Sequence, residues 1–362
     1  MGEKSSLFKK FEKNHATWPD FQSFLELNEV QAMPFFELAR KRTIKKFGNK
    51  LKIYIPNKRF PSISLTGRDC ALECLHCDKK YLNGMKPIKK NKELEDFLFD
   101  LAAKNGTGVL ISGGCDSDGS VPLREFMSTI KKIKGETNLI INTHTGLLNE
   151  NTAKALAEAG IDIVSFDVTM DENIINEIYR MEKKSPLDYK QALYLLKKYR
   201  LNVVPHICIG LYYGKLHKEL EAIKFLKESN INPSLIVFIA LIPPNKSEIT
   251  FQTPDPLDLA KIIAITRFNF PKTEISLGCM RPRGGLKVDI EKITIMAGIT
   301  RLEIPSRKTI EWLMNFDPHV SFEFFSACCA IPEKFDAITR SKESDIKGYL
   351  KILKQPLLKK HS

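Results

Sequence analysis

Eight short apolar segments, each followed by a stretch of helical periodicity, predict an α/β fold of the (β/α)8 TIM-barrel type. The alternation occupies residues 60–316. A second observation is composition: 43% hydrophobic and 27% charged residues over 362 positions suit a globular protein that buries a large core. A third is punctuation. Gly or Pro closes most of the helical stretches, as βα units require.

Residues 1–59 read as a helical N-terminal extension. Phe21 to Val30 and Pro34 to Phe47 are amphipathic, the second ending in Arg40, Lys41, Arg42, Lys45 and Lys46. Leu51 to Ile55 reads as a short strand stopped by Pro56, and these pieces are expected on the outside or bottom of the barrel. The eight strands are then Ser62 to Gly67, Gly108 to Ser112, Asn138 to Asn142, Ile161 to Phe166, Asn202 to Ile209, Ser234 to Ala240, Glu274 to Leu277 and Ile299 to Glu303. The intervening helices are Lys92 to Lys104, Pro122 to Lys134, Asn149 to Glu158, Leu187 to Tyr199 (with a shorter one near Glu172 to Arg180), His217 to Glu228, Pro256 to Phe268 and Ile290 to Ala297, with Ser306 to Met314 after the last strand. Ile290 to Ala297 fits a short strand as well as a helix. Residues 317–362 form a C-terminal segment, with a buried run around Phe322 to Ile331 and a helix from Ser344 to Leu353; it is expected to close the barrel mouth.

Several functional classes are disfavoured. No apolar run reaches membrane-spanning length, and the N-terminus carries no apolar signal region. Eight cysteines in so long a chain do not make a secreted disulfide scaffold, so a reducing cytoplasm with thiols kept for metal is expected. The net charge of +13 comes largely from lysine pairs on helix faces. These pairs are either a solvated surface or a surface that steers an acidic macromolecule.

The stretch that carries chemistry is Cys70-Ala-Leu-Glu-Cys74-Leu-His-Cys77, directly after the first strand. Three thiolates in one loop are soft ligands suited to an iron–sulfur cluster or zinc. A zinc site would want a fourth Cys or His at matching spacing, and His76 stands too close to Cys77 to chelate beside it. Three thiolates on a four-iron cluster leave one iron open to a small molecule.

The C-x3-C-x2-C loop after a first barrel strand resembles the radical S-adenosylmethionine (SAM) superfamily. The resemblance implies a 4Fe-4S cluster on Cys70, Cys74 and Cys77, with SAM on the open iron. Cleavage of SAM then gives a 5′-deoxyadenosyl radical that abstracts a hydrogen atom. His76 occupies the aromatic slot of the motif. Eight units favour the biotin synthase and lipoyl synthase branch. The turn Gly113-Gly114-Cys115-Asp-Ser-Asp-Gly and the motif Gly278-Cys279-Met280-Arg281-Pro282 resemble a mostly archaeal group of biotin synthase homologues that includes two-protein lipoyl synthases.

The resemblance also assigns cofactor contacts at the strand C-termini, where barrel ligands bind. Gly113 and Gly114 would offer backbone to the SAM ammonium, although Cys115 stands where the family commonly has an acid. His144, Ser165 and Asp167 would line the SAM or substrate cavity, and Arg180 would clamp the SAM carboxylate. Cys208 reads as core. Cys115, Cys279, Cys328 and Cys329 supply candidate ligands for a second, auxiliary 4Fe-4S cluster; as free cysteines they would otherwise be small buried hydrophobes. A lipoyl synthase-type sulfurtransferase consumes such a cluster as its sulfur source. The partners then expected are an acidic lipoyl-type carrier domain or peptide as substrate, an electron donor such as ferredoxin and a second radical SAM subunit, with neither nucleic acid nor membrane. The alternative is a biotin synthase-like or mutase-type enzyme with one cluster and a small-molecule substrate. A third, non-enzymatic reading is a subunit that binds or delivers a cluster. The C-x4-C-x5-C run of the bacterial lipoyl enzyme is absent, since residues 1–69 contain no Cys.

Overall fold

The computed structural model describes residues 2–244 and 250–357. Three helices open the chain: α1 (Gly2–Glu12), α2 (Trp18–Leu25) and α3 (Glu29–Phe47). The capping boxes Thr17/Asp20 and Asn28/Gln31 start α2 and α3. There follow β1 (Lys50–Tyr54), β2 (Ser62–Ser64), β3 (Lys86–Pro87), α4 (Asn91–Ala103), β4 (Gly108–Ser112), α5 (Met127–Glu136), β5 (Ile140–His144), α6 (Glu150–Glu158) and β6 (Ile163–Asp167). After a π-helical turn at Ile174–Ile178 come α7 (Pro186–Lys198), β7 (Val203–Ile209), α8 (Glu219–Glu228), β8 (Leu235–Ala240), α9 (Pro256–Asn269) and β9 (Glu274–Leu277). The chain ends with α10 (Gly285–Met296), β10 (Arg301–Glu303), α11 (Arg307–Phe316), β11 (Ser321–Phe325), α12 (Asp336–Thr339) and α13 (Glu343–Leu357).

All pairings are parallel, in the order β11-β1-β10-β9-β8-β7-β6-β5-β4-β2-β3. The eight expected strands all form and stand in sequence order, as a TIM-type barrel requires. The sheet curls without a ladder between its two ends; Thr107 Oγ1 donates across that gap to the carbonyl of Ser326 at 3.5 Å. Strand alternation divides each strand between two cores. Ile141, Val164, Ile207, Ile236 and Ile275 face the helices, while Ile140, Ile163, Val204 and Leu235 face inward.

Two expectations are corrected and one ambiguity is settled. The strand read at Leu51 to Ile55 does not pack outside: β1 sits in the sheet between β10 and β11. Its residues Leu51 and Ile53 are buried on one face and Lys52 and Tyr54 on the other, a two-sided burial that suits an interior strand. The ambiguous Ile290 to Ala297 stretch is helical, within α10. The C-terminal segment does not close the mouth. Ala327, Cys329, Ala330 and Ile331 pack with Ile140, Ile163, Val204 and Leu235 at the strand starts, the end opposite the cysteine loop. Apolar side chains on both sides drive that plug, since fully burying one such side chain is worth about 1.5–3 kcal/mol.

A buried ion network ties the plug to the sheet. Lys52 Nζ lies 2.9 Å from Glu274 and 2.6 Å from Asp336, and Arg301 pairs with Glu274 and donates to the carbonyl of Ile331. Burial alone would raise the Glu274 pKa, but Arg301 and Lys52 more than offset it and hold the carboxylate below its ordinary range.

Candidate active site

The loop after β2 is held by backbone on both flanks. Ala71 N donates to the carbonyl of Cys115 at 2.8 Å, and Leu75 N donates to Ile178 in the π-helical turn at 2.8 Å. The thiol of Cys74 reaches the Tyr179 carbonyl at 3.6 Å. The loop's exit runs through Asp78 and Lys79, both left-handed non-glycine residues (φ 46° and 54°), a strained path of the kind found at functional sites.

Of the two glycines of the β4 turn, Gly114 is required by proximity and Gly113 is only tightly packed. A methyl group at Gly114 would sit 2.1 Å from Asp69 O and 2.5 Å from Cys70 Cβ, and one at Gly113 would sit 3.2 Å from the Thr66 side chain. Gly114 N donates to Thr66 Oγ1 at 2.7 Å. The expected glycine turn therefore lies against the cysteine loop.

Cys70, Cys74 and Cys77 are all partly buried. Burial pushes the Cys74 thiol up to about 12, and Cys77 and Cys70 push it further in the same direction. Burial also raises Cys77. Three thiols that feel one another need a cation to become thiolates together. Among the described residues no three Cys, His, Asp or Glu side chains converge on a single point for one ion. A cluster does not need that, because each thiolate binds its own iron. The donor set, its spacing and the glycine cradle fit a 4Fe-4S cluster.

The remaining expected residues divide into groups. Cys115 lies with the cysteine loop: its backbone N–H donates to Cys70 Sγ at 3.3 Å, and burial, then Cys70 and Cys74, raise its thiol. Cys279 belongs elsewhere. Its residue is exposed after β9, yet the atoms crowded around the thiol desolvate it and raise it, with Cys329 and Glu303 adding to the shift. Cys329 is in turn raised by its hydrogen bond to Cys328 and by burial. The Cys279 thiol thus senses Cys329, which is bonded to Cys328, whereas the Cys115 thiol senses Cys70 and Cys74. Arg281 beside Cys279 is committed structurally. Its guanidinium donates to Gly278 O, Glu291 and Glu303 O, each at 2.6 Å.

Asn142, His144, Ser165, Asp167, His206 and Cys208 alternate inward on β5, β6 and β7 and form a polar girdle. Ser165 Oγ donates to Asn142 Oδ1 at 3.0 Å, while Asn142 Nδ2 is buried without a partner. His144 and His206 rings meet at 5.1 Å, and burial, then His144, lowers the His206 pKa to about 3. Asp167 is exposed at the end of β6, yet the wall of protein around it desolvates and raises its carboxyl, with His144 opposing. Cys208, read as core, shares the inward face with His206 and is only half-buried. Arg180, left-handed at φ 56°, points its guanidinium to Glu73 of the cysteine loop at 3.8 Å. Sequence reasoning missed Ile178 and Tyr179 as supports of the loop, because they act through backbone carbonyls that any residue supplies. A groove of about 740 Å³ lies on the barrel flank between α2, α7 and α8 and is lined by none of the thiols.

A family model described as Radical SAM superfamily matches residues 64–226, from the end of β2 into α8. Biotin synthase of Buchnera aphidicola subsp. Schizaphis graminum is 26% identical over 292 residues, 75% of this chain and 79% of the relative. Biotin synthase of Bacillus cytotoxicus is 23% identical over 338 residues, 87% of this chain and 94% of the relative. Together these matches support the radical SAM superfamily for this chain. Within it, the biotin synthase homologues place it in a biotin synthase-like branch. Solved structures agree on the fold. The FeFe-hydrogenase maturase HydG from Carboxydothermus hydrogenoformans aligns with a TM-score of 0.68 at 15% identity, covering 97% of this chain and 85% of that one. Methylornithine synthase aligns with 0.57 at 19% identity, covering 82% and 85%. Membership in the radical SAM superfamily implies an enzyme with a 4Fe-4S cluster and SAM. Among the described residues no helix is long and apolar enough to cross a membrane.

Proposed function

We propose that this radical SAM enzyme is a sulfurtransferase of lipoyl synthase type, which inserts sulfur into an octanoyl chain on an acidic carrier domain. The observation that supports the reading is a pair of spare thiols, Cys328 and Cys329, packed in the inner core of the same barrel as the cysteine loop, with a third, Cys279, exposed after β9. Cys70, Cys74 and Cys77 hold the SAM-binding 4Fe-4S cluster, and the second group holds the auxiliary 4Fe-4S cluster. When bound, the first cluster and SAM supply a 5′-deoxyadenosyl radical able to take a hydrogen atom from an unactivated carbon. The chain's own residues do the rest. Gly113 and Gly114 bring backbone close to the SAM ammonium, and Arg180 stands at the loop to meet its carboxylate. The plug of Ala327 to Ile331 excludes water from below. The lysine-rich surface favours an acidic carrier, and an electron donor such as ferredoxin and a second radical SAM subunit complete the set of partners.

A second reading has its own support. The girdle of Asn142, Ser165 and His206 is polar, which favours a small polar substrate in a single-cluster, biotin synthase-like enzyme over a hydrocarbon chain. Iron and sulfide content with Mössbauer spectra, on anaerobically reconstituted wild type and on a Cys70/Cys74/Cys77→Ala triple variant, separates the two. A residual four-iron cluster in the triple variant supports the sulfur-inserting reading, and octanoylated carrier domain is then the substrate to assay. No iron in the triple variant rejects it in favour of the single-cluster enzyme.

A further inference from the structure

The cysteine loop lies close under one patch of the outer surface. The Cys74 thiol reaches the carbonyl of Tyr179 at 3.6 Å, and Leu75 N donates to the carbonyl of Ile178 at 2.8 Å. On either side of that contact the chain is open to solvent. The side chain of Glu73 is 74% exposed and that of Arg180 is 52% exposed, with 3.8 Å between their charged groups. Beyond Arg180 the chain turns through Lys183 and Lys184 into α7. The first turn of α7 carries Leu187, 70% exposed, and two turns on stands Tyr194, 58% exposed. That spacing puts both on one helix face, with Lys190 and Gln191, themselves exposed, between them.

The charge around this stripe is one-sided. Residues 179–198 carry six cations, Arg180, Lys183, Lys184, Lys190, Lys197 and Lys198, against two carboxylates, Glu182 and Asp188. Asp188 is committed to the cap of α7, where Ser185 N donates to it at 2.8 Å. Lys184 and Lys198 pair with Asp118 and Glu150, and Lys183, Lys190 and Lys197 remain exposed. An exposed apolar stripe among cations suits an acidic protein. Its place selects the kind of protein. α7 leaves the end of β6 at the mouth and runs back to the start of β7, so its outer face lies on the barrel flank. A carrier that threads a chain into the cavity must dock across the mouth. A partner on the flank, beside the surface over Cys74, can deliver an electron without entering.

We propose that the Leu187–Tyr194 face of α7, with Lys183, Lys190 and Lys197, is the docking surface for an acidic one-electron donor protein that reduces the cluster held by Cys70, Cys74 and Cys77. The inference rests on the radical SAM reading of the loop. One electron passes from the reduced donor to the cluster. The donor is oxidised and the cluster reduced by that electron, and no bond forms or breaks. Attraction between the lysines and an acidic donor speeds the encounter and is screened by salt.

The test uses the full-length protein, reconstituted anaerobically with its cluster, as wild type, as a Lys183→Glu/Lys190→Glu double variant and as Leu187→Ala. Reduced acidic ferredoxin is the probe, and its oxidation by each protein is followed by stopped flow. Dithionite, a small reductant that needs no docking face, is run in parallel, and affinity for oxidised ferredoxin is measured by calorimetry. At low salt the double variant is expected to take electrons from ferredoxin about tenfold more slowly than wild type, with its dithionite rate unchanged, and the wild-type ferredoxin rate is expected to fall steeply with ionic strength. L187A is expected to bind ferredoxin about fivefold more weakly. Equal ferredoxin rates and affinities in all three proteins overturn the proposal. So does a loss of affinity confined to an octanoylated carrier domain, which assigns the face to the substrate. If dithionite also reduces the double variant more slowly, L187A and the salt dependence of wild type decide, and unchanged affinity with a salt-independent rate overturns the proposal. A wild type that forms no four-iron cluster rejects the reading of the cysteine loop itself, an outcome distinct from a cluster that ferredoxin reduces at one rate in all three proteins.

Discussion

Gly114→Ala tests whether the β4 turn and the cysteine loop form one rigid unit. The added Cβ would stand 2.1 Å from Asp69 O, 2.5 Å from Cys70 Cβ and 2.6 Å from Cys70 Cα. Those neighbours are backbone atoms and a Cβ, so no rotamer change relieves the clash. Carbon contacts are most favourable near 3.5–4.0 Å, so turn and loop must separate by about 1 Å or more. That movement breaks or stretches the Gly114 N to Thr66 Oγ1 bond at 2.7 Å and the Ala71 N to Cys115 O bond at 2.8 Å. Overpacking of this kind costs about 1–3 kcal/mol, which lowers the melting temperature by a few degrees without unfolding a chain this large. The effect on metal is larger, because ligands must be held within about 0.5 Å of their productive geometry. G114A is expected to keep its circular dichroism spectrum and to lose more than half of its iron and of its visible cluster absorbance after reconstitution. Gly135→Ala is the control. Gly135 lies in α5 with nothing within 4 Å of the added methyl, so iron content should be unchanged and stability should rise by about 0.5–1 kcal/mol. A G114A protein with wild-type iron and melting temperature would refute the argument, since loop and turn could not then be in contact.

Three further outcomes follow from the packing. Glu274→Ala removes the carboxylate partner of buried Arg301 and one of the partners of Lys52, and losing one partner of a buried ion pair costs about 3–5 kcal/mol, so chemical denaturation should shift to markedly lower denaturant. Burial raises Glu219 to about 7, with the N–H groups of His217 and Gly210 opposing the shift. A carboxyl with a raised folded pKa favours folding below its unfolded value near 4.5 and loses that contribution as pH rises through about 7, a span of about 3 kcal/mol; urea midpoints should fall over this window in wild type and flatten in Glu219→Gln. Arg281→Lys replaces a planar fork that serves Gly278 O, Glu291 and Glu303 O, so the turn carrying Cys279 should loosen, read as faster hydrogen exchange in residues 278–283 with the SAM-binding cluster unchanged.

The barrel was legible because periodicity is local. Each strand is a short apolar run and each helix repeats every three or four residues, so eight units could be read one at a time. The cysteine loop was legible for the same reason, since three thiols at fixed spacing on one turn need no distant partner. Strand β1 was read as a strand and misplaced, because Leu51 to Tyr54 has the same pattern inside a sheet or beside one. Only pairing with β10 and with β11, some 250 residues away in sequence, distinguishes the two. The C-terminal plug was misjudged on similar grounds. Its run from Phe325 to Ile331 is plainly apolar, but which end of the barrel it fills depends on the layer of Ile140, Ile163, Val204 and Leu235 it meets.

The partition of the cysteines shows the boundary most clearly. The sequence by itself determined the family, the cluster loop, the glycine turn and the existence of spare thiols, all of which rest on residue identity and spacing within short segments. Tertiary structure decided which spare thiols stand together. Cys115 joins the loop because two backbone hydrogen bonds and a glycine hold its turn against Cys70. Cys328 and Cys329 enter the inner core because the plug packs on Ile140, Ile163, Val204 and Leu235, which are some 90 or more residues away in sequence, while Cys279 stays exposed after β9. Contacts of that range are set by the closure of the barrel and by the burial of apolar surface, which no local pattern encodes.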